Sequence, residues 1–200
     1  MNKKILITGA SGLLGRALVT EFLNNDFVVL AQYHTNQPVQ HANCHWVWAD
    51  FSDLAGIQDF LHRNRKAFED CRFLINNYGP ITSKKVLDLT AEDFDFDFHH
   101  NVITAFEVTN FFFRNFSLES VVNIGFEFIG EQRVYKKILT YAVAKNALLL
   151  MTKSFEQQYP HIRFHMVSPP TLEGAPVKAK TGKQVSSESV AREIVSIVTL

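Results

Sequence analysis

Two residues four apart carry the most suggestive chemistry in this chain: Tyr141 and Lys145, in the stretch TYAVAK at 140–145. On a helix this spacing puts both side chains on one face. A free phenol titrates near ~10 and is a poor base at neutral pH. An ammonium beside it favours the phenolate, which brings the group toward a working range for proton transfer. Ala142 and Ala144 are small, so a ligand or a neighbouring helix can come close. A second constellation lies near the start. TGASGLLG places Gly9, Gly12 and Gly15, with Ser11, Leu13 and Leu14, between an apolar run and a helical pattern. Glycines allow a tight turn and the close approach of a pyrophosphate. The helix that follows offers free N–H groups and the positive end of its dipole.

Positioning these groups takes a regular succession of elements. KKILITGA, FVVLAQYH, CHWVWAD, CRFLINNYG, SVVNIGF and IRFHMVSPP read as six strands. LLGRALVTEFLNND, LAGIQDFLHRNRKAF, LTAEDFDFDFHHNVITAFEVTNFFFRNF, TYAVAKNALLLMTKSFEQQY and SSESVAREIVSIVTL read as helices between and after them. Thr90 with Asp93 makes a capping-box start, and Ser186 or Ser187 suits the cap of the last helix. The alternation predicts an α/β fold of Rossmann type, a doubly wound parallel β-sheet with helices on both faces, as one domain over 1–200. The ligand crevice then lies at the C-terminal edge of the strands. The lysine- and glycine-rich segment 171–184 reads as a lid or a surface loop.

At the end of the second strand, AQYHTN has no acid to hold a ribose 2′-hydroxyl. A 2′-phosphate is therefore not repelled, which favours NADP(H) over NAD(H), with Arg16 as a nearby cation. The remaining composition excludes more than it selects. Twenty basic and twenty acidic residues give a formal net charge of zero, without the basic footprint of a nucleic-acid binder. No apolar run reaches membrane-spanning length, and the short run after MNKK does not make a signal peptide. Cys44 and Cys71 show no metal or CxxC spacing, so buried reduced thiols and a cytoplasmic setting are expected. No metal site is expected, although His41, Cys44 and His45 lie close together. Eighteen phenylalanines suggest a bulky core or a subunit contact.

In order along the chain, TGASGLLG, ADFSD, NNYG, HHNVITAF, VVNIG, YAVAK and IRFHMVSPP resemble the landmarks of the short-chain dehydrogenase/reductase family. The resemblance implies hydride transfer between a nicotinamide cofactor and a small carbonyl or alcohol. It implies that Tyr141 is the general acid or base. Lys145 would bind the nicotinamide ribose and lower the tyrosine's pKa, and Asn101 would hold a relay water. Gly9, Ser11, Gly12, Leu13, Leu14, Gly15, Tyr33, His34, Asp50, Phe51, Asn77, Tyr78 and Gly79 would bind the cofactor, with Asp50 on the adenine amino group. Pro169, Thr171 and Leu172 would lie along the nicotinamide. By the same analogy the helices around Asn101 and Tyr141 build a homodimer or homotetramer.

The chain also departs from that family. The serine expected after the fifth strand falls on Gly125 or Phe126, and residues 121–139 contain neither serine nor threonine. Glu127, Gln132 or Tyr135 could reach in instead, although no spacing in the sequence puts them there. NNYG puts a bulky Tyr78 where the family has alanine, and Pro169-Pro170 replaces proline-glycine. The glycine spacing is nearer to the family's extended members. Epimerase-like or dehydratase-like chemistry is disfavoured because little chain is left for a substrate domain. A non-catalytic relative that keeps the cofactor site and acts as a sensor is the main alternative. In EDFDFDFHH the alternating acids are expected to form a solvated face over a core stripe of phenylalanines.

Overall fold

The computed structural model describes residues 3–36, 40–127, 129–131, 135–175 and 184–200. Six strands form one sheet: β1 (Lys3–Ile7), β2 (Phe27–Tyr33), β3 (Cys44–Trp48), β4 (Cys71–Asn76), β5 (Ser120–Ile124) and β6 (Arg163–Val167). Every pairing is parallel and the order is β3-β2-β1-β4-β5-β6. The helices are α1 (Leu13–Asn24), α2 (Leu54–Arg63), α3 (Ala91–Phe98), α4 (Thr104–Asn115), α5 (Leu139–Gln158) and α6 (Ser187–Thr199). This is the doubly wound α/β architecture expected from the alternation.

The period-two alternation of each strand divides the core between two faces. Ile5 and Ile7 point to the layer of α1 and α6, where Phe22, Phe27 and Ile194 are buried. Leu6 points to the opposite layer, with Leu30, Leu74, Val121, Phe60 and Phe112. Much of the phenylalanine content fills this second layer, where Phe60, Phe68, Phe111 and Phe112 pack edge-on or tilted. The strand order reverses between β1 and β4. Their crossovers leave in opposite directions, and a crevice opens above their C-terminal ends.

The long helical stretch expected from residue 89 to 116 is three pieces. α3 starts on the predicted capping box, with Asp93 accepting from the Thr90 backbone N–H at 3.0 Å. Residues His99–Ile103 then form a π-helical turn, in which the Thr104 N–H reaches back five residues to the His99 carbonyl. The Thr104 hydroxyl donates to the same carbonyl at 2.9 Å. α4 continues from there. Such π turns accommodate one extra residue and recur at functional sites. Ser186 caps α6, accepting from Ser189 N–H at 3.2 Å.

A buried polar ladder ties the layers beneath the crevice. Asn76 on β4 donates to Thr109 on α4 at 3.0 Å and to Asn123 on β5 at 2.8 Å. Asn123 donates in turn to Thr152 on α5 at 2.8 Å. These bonds fix the helix carrying Tyr141 and Lys145 against the helix that continues from Asn101.

Candidate active site

The glycine turn leaves β1 at the strand-order reversal. Gly9 has φ +62°, a left-handed conformation that favours glycine. Its N–H donates to the Gln32 side chain at 2.8 Å, and the Gln32 amide donates to the Ala49 carbonyl at 3.0 Å. Gln32 is thus a buried brace between the turn and β3, a role its sequence position at the end of β2 did not reveal. No side chain caps α1. Its first N–H groups border a cleft of about 350 Å³ lined by Gly9, Ser11, Gly12, Leu13 and Leu14, by Gln32 and 34–36, and by 77–80.

The end of β4 is pinned to this turn. Thr8 Oγ1 accepts from the backbone N–H of both Asn77 and Tyr78 at 3.1 Å, and the Asn77 amide donates to the Gly9 carbonyl at 2.9 Å. The Tyr78 ring stands edge-on to Phe51, and its hydroxyl hydrogen-bonds His100 Nδ1 at 3.0 Å. Burial, helped by Asp50, pushes the Tyr78 phenol up to about 12. Burial next to His99 pushes His100 down to about 4. The Asp50 carboxyl is lowered from its ordinary value, chiefly because it accepts from the Ser52 N–H at 2.9 Å. It also faces His34 at 3.8 Å.

His100 makes a prediction for stability. Its folded pKa lies below the usual ~6.5, so the unfolded chain takes up the proton first as pH falls. The stabilisation is complete above pH ~6.5 and is lost between there and about pH 4, a change on the order of 3 kcal/mol. Urea unfolding at several pH values should show this loss, and His100→Gln should flatten the slope across that window.

Beyond the cleft, Asn101, Lys145 and Gly79 meet. A Cβ on Gly79 would lie 2.4 Å from Asn101 Oδ1 and 3.0 Å from Lys145 Nζ. The Asn101 amide donates to the Pro80 carbonyl at 3.1 Å and to the Asp97 carbonyl at 3.0 Å. Its Oδ1 is buried and has no hydrogen-bond partner among the described residues. Lys145 donates to the Ile124 carbonyl at 2.7 Å, and its Nζ lies 5.6 Å from the Tyr141 ring centre. The structure therefore brings together Gly79, Asn101, Tyr141 and Lys145, at the C-terminal ends of β4 and β5.

The electrostatics differ from the expectation that lysine lowers the tyrosine. Burial pushes the Tyr141 phenol above its ordinary range, and the Asp97 carboxylate adds to this. Burial pushes Lys145 down to about 7, so its charge is only partly present at neutral pH. In this state the phenol is a loaded proton donor.

The acids of EDFDFDFHH were expected to face solvent over buried phenylalanines. Asp97 is 0% exposed, whereas Phe94 and Phe96 are 38% and 44% exposed. Strict alternation does not match the 3.6-residue period, so the stripe that faces inward includes Asp97 and Asn101, one turn apart.

Other predicted cofactor contacts take different positions. Tyr33 packs against Trp46 rather than lining the cleft. The Phe51 side chain is buried against Phe60 and Tyr78, and its carbonyl bonds His99 at 3.0 Å. Pro169 to Leu172 follow β6 at the same sheet edge, and Leu172 bridges to Val185. At the missing serine, the Phe126 ring packs on Tyr141 with centres 5.5 Å apart and on Tyr135 at 5.6 Å. Gln132 and most of 171–184 lie outside the described residues.

Residues 3–186 match the short chain dehydrogenase family, and the chain belongs to it. It is an oxidoreductase family, and its solved members share the fold described above. Among curated relatives, dihydromonapterin reductase of Escherichia coli strain K12 is 25% identical over 183 residues, covering 82% of this chain and 72% of that protein. A short-chain dehydrogenase from Leptospira borgpetersenii with bound NAD+ superposes with a TM-score of 0.81 at 21% identity, covering 97% of this chain and 84% of the other. A blue fluorescent protein from a metagenomic library in complex with NADPH gives 0.82 at 17% identity, with 98% and 90% covered.

Proposed function

We propose that this protein is an NADP(H)-dependent oxidoreductase acting on a small carbonyl or alcohol. The observation that carries the reading is the convergence of Gly79, Asn101, Tyr141 and Lys145 beside the glycine turn. The residues fit a dinucleotide on three counts. Among the described residues no side chain caps α1 and none pairs with Asn101 Oδ1, and Gly9 and Gly12 line the cleft without side chains. A bound nicotinamide dinucleotide supplies the hydride or accepts it. Tyr141 donates its proton to the oxygen formed on carbonyl reduction. Lys145 orients the ribose and Asn101 Oδ1 accepts from a relay water. Because burial keeps Tyr141 protonated, reduction should run at neutral pH, whereas alcohol oxidation should climb as pH rises.

The NADP(H) preference is supported by the cleft's outer wall. Arg16 Nε donates to the Ser11 carbonyl at 2.9 Å, and the Asn36 amide approaches the same carbonyl at 3.4 Å. The guanidinium and amide thus flank the place left without an acid at the end of β2. NADPH should bind at least ~10-fold tighter than NADH, a difference of about 1.4 kcal/mol, and Arg16→Ala should remove most of it. Nicotinamide fluorescence titrations measure both.

A homodimer or homotetramer is part of the same proposal. α4 and α5 border a groove of about 480 Å³ with Phe106, Phe113 and Phe155 in its walls, and Leu150 of α5 is 68% exposed. Among the described residues, no helix is long and apolar enough to cross a membrane.

A second reading, a cofactor-binding relative without turnover, is favoured by Phe126 packed on Tyr141 near the place of the missing serine. Adding ketones, aldehydes and dihydromonapterin to protein loaded with NADPH separates the two. Turnover lost in Tyr141→Phe supports the enzyme, and binding without turnover supports the relative. Failure to bind either cofactor refutes both.

A further inference from the structure

We propose that Asp97 is the buried counter-charge of the Lys145 ammonium and the residue that positions the first turn of α5. The catalytic consequence rests on the function proposed above, but the electrostatic claim does not. Asp97 is fully buried on α3, one turn before Asn101. One carboxylate oxygen accepts from the Thr140 hydroxyl and the other from the Thr82 N–H at 3.3 Å. Thr140 is the residue before Tyr141 and lies in the first turn of α5. That helix has no side-chain cap and no acid in its first turn. Asp97 therefore supplies from α3 the negative charge that a helix N-terminus favours. Its backbone carbonyl meanwhile accepts from the Asn101 amide. One residue fixes both the helix of the tyrosine and the asparagine of the relay.

A buried carboxylate is costly without a compensating charge. The neighbouring titratable groups are already engaged. Asp93 pairs with Lys84 at the surface, His99 bonds the Phe51 carbonyl, and His100 bonds Tyr78. From α5, Tyr141 and Lys145 both feel the charge of Asp97, which favours protonation of each. Lys145 forms no direct ion pair among the described residues, and its hydrogen bond goes to a neutral carbonyl. Both side chains are buried in one cluster: Asn101 bonds the Asp97 carbonyl, and Asn101 Oδ1 and Lys145 Nζ both border Gly79, so charge there is weakly screened. Asp97 thus maintains the ammonium against burial and keeps the phenol loaded.

The test needs neither substrate nor cofactor. The ¹³Cε resonance of Lys145, assigned by its loss in Lys145→Met, is followed against pH in the free protein. Asp97→Asn, which preserves shape and removes the charge, should move the midpoint down by ~0.5 unit or more. A midpoint that stays or rises overturns the proposal, even if catalysis is impaired. Urea unfolding of Asp97→Asn, Lys145→Met and the double variant gives a second measure. The double variant should be more stable than the two single losses predict, and where Asp97→Asn alone does not fold, the double variant should fold. Additive losses, or a double variant that recovers nothing, overturn it.

Discussion

Tyr141→Phe should reduce turnover by ~10²- to 10⁴-fold while leaving the fold and cofactor affinity nearly unchanged. The structure makes this substitution unusually clean. Among the described residues no group is hydrogen-bonded to the Tyr141 hydroxyl, which is not one of the buried unpaired polar atoms, so its removal strands no buried partner. The ring retains its contact with Phe126 and its place beneath Lys145. Melting temperature should therefore move little, and NADPH should bind within a few-fold of the parent. Parallel thermal melts, fluorescence titrations and single-turnover rates would separate these quantities. Equal turnover by the variant would remove Tyr141 from the chemistry.

Gly15→Ala should be the most damaging change to the cofactor cleft. A Cβ at Gly15 would stand 2.2 Å from the Gly9 carbonyl oxygen and 2.7 Å from the backbone of Ala10. Backbone atoms cannot swing aside, so α1 must move off the turn. We expect a loss of about 1–3 kcal/mol in folding stability and a fall of at least ~100-fold in NADPH affinity. Gly12→Ala is the matched control for folding stability. Its φ of −74° is ordinary, and its Cβ would meet only the Gly9 carbonyl at 3.3 Å. If both variants lose the same stability, close packing of α1 on the turn is not what holds the cleft in shape.

The architecture was legible because its signals are local. Short apolar runs ending in glycine or asparagine gave the strands, and the intervening helices showed their period. TGASGLLG and YAVAK could be placed at the crevice because a doubly wound sheet brings its strand ends to one edge. Gln32 was not legible as a brace, since its two partners, Gly9 and Ala49, lie on other elements. Asp97 was misread because Asp-Phe alternation suggests period two, whereas a helix selects its inward face every third or fourth residue. The state of Tyr141 was misjudged for a related reason. The i,i+4 lysine is visible in sequence, but burial and the charge from α3 are tertiary effects that oppose it.

The π turn at His99–Ile103 also sets a rotational phase. A regular helix advances about 100° per residue. The extra residue lets Asp97 turn toward Thr140 of α5 and Asn101 toward Gly79 while Val108 and Phe112, on the same rod, remain directed into the core. Deleting Val102 would leave every candidate catalytic side chain in the chain and a plausible uninterrupted helix. It would nevertheless turn one half of the rod by roughly 100° against the other. Such a protein must lose either a filled core or an aligned Asn101, so the length of this segment is as much a specification of the site as the identity of its residues.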